Sequence, residues 1–150
     1  MKALIQRVSS ASVSSEGILR GSIGRGLLVL AGFGRSDTER DLEWMTGKVL
    51  GLRVFPDDDS NMNLSVTEVG GGILVVSQFT LHADTRKGRR PSFMAAADPS
   101  EAETLYDLFV SMLAGSGLEV SSGVFGSMMK VSLVNEGPVT LMIDSPSERE

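Results

Sequence analysis

Short apolar stretches that alternate with polar residues fill the first part of the chain, and Gly and Ser residues separate them. An alternation with a period of two is typical of β-strands, and gaps rich in Gly and Ser are typical of turns. Ser15-Glu16-Gly17 is such a gap. The pattern predicts an opening meander with strands over 2–8, 11–14, 18–23 and 27–33.

Helical spacing replaces this alternation after residue 36. The apolar positions that recur every three or four residues are Leu42, Met45, Val49 and Leu52. This spacing places them on one face of an amphipathic helix. Ser36 and Glu39 have the separation of a capping box, which marks the start of a helix. We predict a helix over 37–51.

A continuous apolar run at 73–76 ends in polar residues and predicts a buried central strand over 73–79. Residues 81–97 then show no sustained periodicity. Their basic residues, four within five positions, are Arg86, Lys87, Arg89 and Arg90. A long stretch of this kind is typical of an exposed loop, and such loops in compact domains are often functional.

The strongest helix start in the sequence is Asp98-Pro99-Ser100-Glu101, which combines an N-cap residue, a proline in the first turn and a glutamate three residues after the cap. The apolar positions of this helix are Ala102, Leu105, Leu108, Phe109, Met112 and Leu113. Three further strands are predicted over 118–122, 129–135 and 139–144. Residues 136–138 are predicted to turn the chain between the last two.

These elements predict an α/β fold, with a mixed, largely antiparallel β-sheet and two main helices packed on it. The sequence contains no repeat and no linker long enough to separate domains. Residues 1–150 are therefore predicted to form a single domain, and the last few residues are expected to be a disordered tail.

Composition excludes several kinds of chemistry. The chain has no Cys and one His, so thiol nucleophiles, Cys-based zinc sites and a multi-histidine metal site within one chain are ruled out. No metal and no cofactor are expected. The longest apolar run, 26–33, is much shorter than the roughly 20 residues that span a membrane. A cytoplasmic protein without membrane association is expected.

Charge is distributed unevenly. The formal net charge is −5, which argues against a protein that coats nucleic acid through general phosphate neutralisation. Residues 56–150 carry 14 acidic and 6 basic side chains, yet four of those six lie in the cluster at 86–90. This cluster is interpreted either as a solvated loop or as a site for a few phosphate contacts.

Two polar constellations are candidates for a site, and each has a plain structural alternative. Ser77-Gln78-Phe79-Thr80 offers hydroxyls, an amide and free main-chain N–H groups at a strand end, or is only a strand that meets solvent. The second constellation, 135–140, contains Gly137-Pro138 and is either an exposed main-chain ligand site or a hairpin turn. Thr80 and His82, two apart on an extended strand, would be a nucleophile and its base.

Several segments in one order carry a resemblance to a known family. They are Gln6-Arg7-Val8, Gly21-Ser-Ile-Gly24, Gly26-Leu-Leu-Val29, Met62-Asn-Leu64, Ser77-Gln-Phe-Thr80, Arg89-Arg-Pro-Ser-Phe93 and Asn135-Glu-Gly-Pro-Val-Thr140. In these motifs the chain resembles the D-aminoacyl-tRNA deacylase family from its first residues to about Thr140. Glu136 and Ser127 depart from the family's commoner Asp and Ala.

The resemblance implies a homodimer, with the site at the subunit interface, that hydrolyses the ester between a D-amino acid and the terminal ribose of tRNA. It also implies clearance of glycine from mischarged tRNA(Ala). Gly137 and Pro138 would enter the partner's pocket and exclude L side chains by their bulk. In this family the Gly-Pro step would be cis. A related group of deacylases with relaxed specificity holds it trans, and the sequence does not show which isomer Gly137-Pro138 adopts.

The resemblance also assigns roles to residues. The predicted catalytic residues are Ser77, Gln78, Phe79 and Thr80, with main-chain N–H groups near Phe79 and Thr80 stabilising the oxyanion. The ribose 2′-hydroxyl would help to activate water, so that no side chain is indispensable. The predicted substrate-binding residues are Arg7, Phe125, Met129, Asn135, Gly137, Pro138 and Thr140, and among them Arg7 would support Gly137-Pro138. Phe125 and Met129 would border the terminal adenine.

The expected partner is the acceptor end of D-aminoacyl-tRNA, with phosphates contacted by Arg86, Lys87, Arg89 and Arg90. Two alternatives from other classes stay open. One is a non-catalytic RNA-binding module that uses the basic cluster, and the other is a small-ester hydrolase that uses Thr80 and His82.

Overall fold

The computed structural model describes residues 1–146, and the tail predicted for the last few residues lies outside this range. Within it, the strands are β1 (Lys2–Ser15), β2 (Ile18–Ile23), β3 (Gly26–Gly32), β4 (Phe55–Pro56), β5 (Met62–Leu64), β6 (Gly72–Ser77), β7 (Val120–Ser122) and β8 (Lys130–Asp144). The helices are α1 (Glu39–Gly51), α2 (Val66–Val69) and α3 (Pro99–Ala114), and a 3₁₀ turn covers Phe79–His82.

One mixed sheet organises the molecule. Its order is β2-β1-β3-β6-β7, and β8 pairs with the opposite edge of β1. Strand β1 pairs antiparallel with β2, β3 and β8, whereas β3, β6 and β7 run parallel to one another. The predicted fold class, a mixed, largely antiparallel sheet with helices packed on it, is confirmed.

The first two predicted strands, 2–8 and 11–14, form one continuous strand, β1. β1 is continuous because β8 pairs with it along nearly its whole length, including Ser10, which pairs with Val134. Ser9 and Ser10 are exposed, so they interrupt the hydrophobic pattern without interrupting the strand. Solvated positions of this kind are permitted where hydrogen bonds to a neighbouring strand continue.

The prediction of a hairpin turn at 136–138 is wrong. The residues on both sides of it pair with the same strand, because Thr140 lies opposite Gln6 and Asn135 lies opposite Val8. Residues 136–139 thus lie opposite Arg7 alone and form a bulge that projects from β8. We call this bulge, residues 136–139, the Gly-Pro loop. A Gly-Pro step signals a local break, but only the long-range pairing shows that the strand resumes in the same direction.

The main core lies between α1, α3 and one face of the sheet. Leu42, Met45 and Val49 are buried as predicted, and Phe109 and Leu113 meet them from α3. Helix α1 begins two residues later than predicted, with Thr38 as its N-cap. The Thr38 N–H donates to Asp41 Oδ2 at 2.8 Å, so the capping partners are not Ser36 and Glu39.

A smaller core lies on the other face, where the sheet curls. Its buried residues are Val8, Ala11, Val13, Ile23, Leu28, Leu74 and Val76. The curl brings β2 against β7, and the Ser121 hydroxyl donates to the Ser22 carbonyl at 3.3 Å. Three short elements, β4, β5 and α2, were not predicted by the hydrophobic pattern. No helix between residues 1 and 146 is long and apolar enough to cross a membrane.

Candidate active site

A cavity of about 780 Å³ lies at the carboxyl end of β6. We call it the active-site cavity. Its walls come from the ends of β3 and β6, the 3₁₀ turn, the start of α3 and residues 125–129. The carboxyl ends of parallel strands are a common place for ligand sites, because the chain diverges there and leaves a crevice. All four predicted catalytic residues line this cavity, together with Phe125 and Met129.

The chain leaves the sheet abruptly after Ser77. The Gln78 N–H donates to the Ala31 carbonyl at 2.8 Å, and Phe79 and Thr80 then open the 3₁₀ turn. The first backbone hydrogen bond within this turn runs from Leu81 to Gln78. The N–H groups of Phe79 and Thr80 therefore have no carbonyl acceptor within the turn.

The side chains of this turn have specific partners. Gln78 Nε2 donates to Thr80 Oγ1, so a donor and not a base faces the Thr80 hydroxyl. The Phe79 ring is 54% exposed and meets the Phe93 ring edge-on, with centroids 5.1 Å apart. An exposed aromatic pair at a cavity rim is an apolar surface that a substrate can cover.

Thr80 and His82 do not form the nucleophile and base of the ester-hydrolase alternative. That alternative needed an extended strand, but Phe79–His82 is a 3₁₀ turn. A methyl group added at Gly32 or at Gly34 would lie 3.2 Å from the imidazole, so His82 packs against the backbone of both glycines. Its buried Nε2 has no hydrogen-bond partner among the described residues.

Tyr106 supports the wall of the cavity, although the sequence did not single it out as a site residue. Its hydroxyl donates to the Val75 carbonyl at 2.9 Å, and its ring lies 5.8 Å from the Phe125 ring. Burial raises the pKa of Tyr106 to about 12, so the hydroxyl stays protonated and keeps this bond at neutral pH. The sequence did contain a signal for its burial, because Tyr106 continues the helical spacing of buried residues from Ala102 to Phe109.

The Gly-Pro loop is exposed but firmly attached at its base. Arg7 Nε donates to the Glu136 carbonyl at 2.8 Å, and another Arg7 nitrogen donates to the Val54 carbonyl at 2.6 Å. The Asn135 side chain accepts from the Val139 N–H at 2.8 Å and donates to Thr140 Oγ1 at 2.9 Å. These bonds involve three of the residues predicted to bind substrate.

The exposed tip of this loop is Gly137-Pro138, whose peptide bond is cis. Gly137 has a φ of +145°, a conformation that only glycine adopts readily. Among the described residues, those lining the active-site cavity include neither Gly137 nor Pro138, and Arg7, Asn135 and Thr140 are also outside it. One chain therefore does not bring the two predicted halves of the site together.

The basic cluster lies on an exposed loop whose ends pair with each other through Asp84 and Ser92. Arg86 donates two hydrogen bonds to the Asp84 carboxylate, at 2.9 and 2.7 Å. These bonds hold the pKa of Asp84 below its usual value. Lys87, Arg89 and Arg90 are exposed. Arg86 therefore helps to fold the loop, and the other three cations face solvent.

Comparison with known proteins gives a consistent result. A family model described as D-Tyr-tRNA(Tyr) deacylase matches residues 4–144. The chain is 60% identical over 146 residues to a D-aminoacyl-tRNA deacylase of Opitutus terrae, covering 97% of each chain. It is 53% identical over 148 residues to a D-aminoacyl-tRNA deacylase of Koribacter versatilis, covering 99% of each.

Solved structures share the fold. One, described as a c-Myc DNA unwinding element binding protein, superposes with a TM-score of 0.92 at 41% identity, over 98% of this chain and 100% of that one. Another, described as a probable eukaryotic D-amino acid tRNA deacylase, has a TM-score of 0.82 at 21% identity, over 95% and 97% of the two chains. The second likeness bears on the fold alone.

Proposed function

The chain belongs to the D-Tyr-tRNA(Tyr) deacylase family, and on this premise we propose that it hydrolyses the ester bond of D-aminoacyl-tRNA. The products are the free D-amino acid and tRNA. The observation that carries the proposal is the match to this family over residues 4–144, with the motif Ser77-Gln78-Phe79-Thr80 lining a cavity of about 780 Å³. Its substrate is an aminoacyl-tRNA, so we place its action in the cytoplasm, where translation occurs.

Catalysis relies on main-chain groups and on the substrate itself. Water attacks the ester carbonyl carbon, and the ribose 2′-hydroxyl beside the ester takes part in moving the proton. The N–H groups of Phe79 and Thr80 stabilise the negative oxygen of the tetrahedral intermediate. The bond to the 3′-oxygen of the ribose then breaks. The hydrogen bond from Gln78 to Thr80 Oγ1 supports this mechanism, because no base faces the hydroxyl.

Rejection of L-amino acids comes from the Gly-Pro loop of a second copy of the chain. Inserted into the active-site cavity, the main chain of Gly137 and Pro138 holds the α-amino group and occupies the space that an L side chain needs. Glycine lacks a side chain and escapes this exclusion, so glycyl-tRNA(Ala) is a further substrate. The attachment of the exposed loop through Arg7 and Asn135 supports this role.

The proposed assembly is a homodimer with the active site at the subunit interface. Two observations support it. The Gly-Pro loop lies outside the cavity of its own chain, and β8 exposes the apolar side chains of Leu133, Val134 and Met142, which are 36%, 57% and 49% exposed. In a symmetric dimer each subunit contributes the same patch, so one such surface serves both.

The terminal adenosine of tRNA lies against Phe125 and Met129 in this proposal, because both line the cavity and give an apolar surface to a base. Arg86, Lys87, Arg89 and Arg90 contact phosphates further along the acceptor end. The exposed positions of the last three support this assignment. Such contacts strengthen binding without reading the base sequence.

The decisive test is single-turnover deacylation of matched D-Tyr-tRNA and L-Tyr-tRNA by the purified protein in the presence of a chelator. We expect rapid loss of the D-ester, a stable L-ester and no effect of the chelator. Loss of both esters would assign the chain to the deacylases with relaxed specificity. If neither ester is lost while tRNA still binds, the protein is a non-catalytic RNA-binding module and the proposal is wrong.

Thr80→Ala separates the substrate-assisted mechanism from a threonine nucleophile. The exposed hydroxyl contacts Gln78, and the main-chain N–H of residue 80 is kept in the variant. We expect single-turnover rates within about tenfold of wild type, since one neutral hydrogen bond contributes about 1 kcal/mol. A loss of about 10⁴-fold or more, as when a true nucleophile is removed, would exclude this mechanism.

A further inference from the structure

A second cavity, of about 820 Å³, adjoins the active-site cavity. Both are lined by Phe125, Gly126, Ser127 and Met128, so these four residues border both cavities, and we call them the partition. The far side is closed by the end of β1, the turn that follows it, Arg20 of β2 and Lys130 of β8. A polymer that leaves the first cavity across this partition enters the second directly.

The partition is held in place by a partly buried polar contact. The hydroxyls of Ser15 and Ser127 hydrogen bond to each other, and Ser15 is only 3% exposed. The Ser127 N–H also donates to the Val124 carbonyl at 3.2 Å. Because Ser15 ends β1, the partition is fixed to the sheet.

The second cavity combines two positive charges with exposed apolar side chains. Arg20 and Lys130 supply the charges, while Met128 and Val124 are 89% and 41% exposed. The Glu16 carboxylate lies 3.8 Å from the Arg20 guanidinium. Because the Glu16 side chain is 82% exposed, this ion pair is weak, and another anion can replace Glu16. Sites for single-stranded nucleic acid combine cations with surfaces on which bases stack, commonly aromatic ones, and the polarisable thioether of Met128 offers such a surface here.

We propose that this second cavity binds the single-stranded nucleotides that precede the terminal adenosine of the tRNA, with Arg20 and Lys130 contacting their phosphates and Met128 lying against a base. The inference rests on the proposed function, because it takes the terminal adenosine to lie on Phe125 across the same partition. It adds a binding site separate from the basic cluster at 86–90. The ligand class is an RNA single strand of two or three nucleotides.

The test compares two substrates of the same protein. D-Tyr-tRNA carries the preceding nucleotides, whereas 3′-O-(D-tyrosyl)adenosine carries the ester and the terminal nucleoside without any phosphate. In the double variant Arg20→Gln, Lys130→Gln, we expect KM for D-Tyr-tRNA to rise about tenfold and kcat to stay unchanged. We expect kcat/KM for the tyrosyl-adenosine to equal that of wild type.

A salt series gives a second readout that a merely structural role would not move. Loss of two phosphate contacts to a single strand reduces the slope of log affinity against log salt by about 1.4. The matched control is Arg40→Gln, Lys48→Gln on α1, which removes the same charge, and neither residue lines either cavity. We expect this control to retain the wild-type KM and salt slope.

The outcomes separate the two proposals. The inference is overturned if the double variant matches its control on D-Tyr-tRNA. It is also overturned if the variant loses activity on tyrosyl-adenosine to the same extent, because the change then acts on the partition and not on nucleotide contacts. If the wild-type protein hydrolyses neither substrate, the proposed function itself is wrong and this inference falls with it.

Discussion

Gly137→Ala is expected to reduce deacylation of D-Tyr-tRNA by about 100-fold or more, with little change in the stability of the protein. A Cβ atom at this position would lie 2.9 Å from Val139 Cγ2, 3.0 Å from the Arg7 guanidinium and 3.1 Å from the Val139 backbone nitrogen. The φ of +145° is in addition strained for any residue with a side chain. The loop must therefore move, and its contact with Arg7 must change.

The loss follows from positioning. In the proposed dimer, the main-chain groups of the Gly-Pro loop act on substrate only if they reach the partner's cavity in one arrangement, and a displacement of about 1 Å is enough to reduce a rate by about two orders of magnitude. We expect little change in the free energy of unfolding, because Gly137 and Pro138 are exposed. Single-turnover rates on the D- and L-esters, with thermal unfolding measured in parallel, check both halves of the prediction.

Gly47→Ala is the matched control, since it adds the same methyl group at an exposed position of α1 where a Cβ meets nothing within 4 Å. Alanine is the better helix former, so this variant should be as active as wild type and slightly more stable. If Gly137→Ala keeps both its rate and its preference for the D-ester, the Gly-Pro loop is not part of the site.

Two inactive variants are expected to restore activity when they share a dimer. The first is Gly137→Ala, which damages the loop. The second is Thr80→Trp, which fills the active-site cavity from an exposed position and so leaves the core unchanged. If each site takes its loop from one subunit and its cavity from the other, a heterodimer has one site with both defects and one with neither. Its activity should be about half that of wild type.

The heterodimer is obtained by co-expression with two different affinity tags and purification on both. The tags belong at the carboxyl end, because the Met1 amino group lies 2.5 Å from the Asp37 carboxylate and is buried. Homodimers of each variant, purified in the same way, provide the baseline. Activity no higher than that baseline would mean that each site is built within a single chain. A monomer in sedimentation would exclude the shared site as well.

Local signals were sufficient for some parts of this protein. Helix α3 begins at Pro99 as predicted, because the fixed φ of proline depends on no distant residue, although the Asp98 side chain makes no capping hydrogen bond. The buried run before Ser77 marked a central strand and the strand end where the cavity lies. The motifs at 77–80 and 135–140 identified the family, since they depend on residue identity and order alone.

Long-range contacts decided the rest. The sequence around Gly137-Pro138 is that of a turn, and it became a bulge within β8 because both of its flanks pair with β1. The contacts of Arg7 join residues 129 and 47 positions away, so no local pattern encodes them, and its support of the Gly-Pro loop was predicted from the family resemblance alone. The role of Tyr106 likewise depends on a carbonyl of β6.

The sequence by itself determined the family and the order of the main elements, and it predicted the residues of both halves of the proposed site, because these follow from residue identity and from periodicity along the chain. Only the tertiary structure showed that the two predicted halves lie apart in one chain, as the family resemblance implied, and that a second cavity adjoins the first at residues 125–128. Distances between side chains depend on how strands pair and how the sheet curls. Those features are fixed by packing between residues remote in sequence.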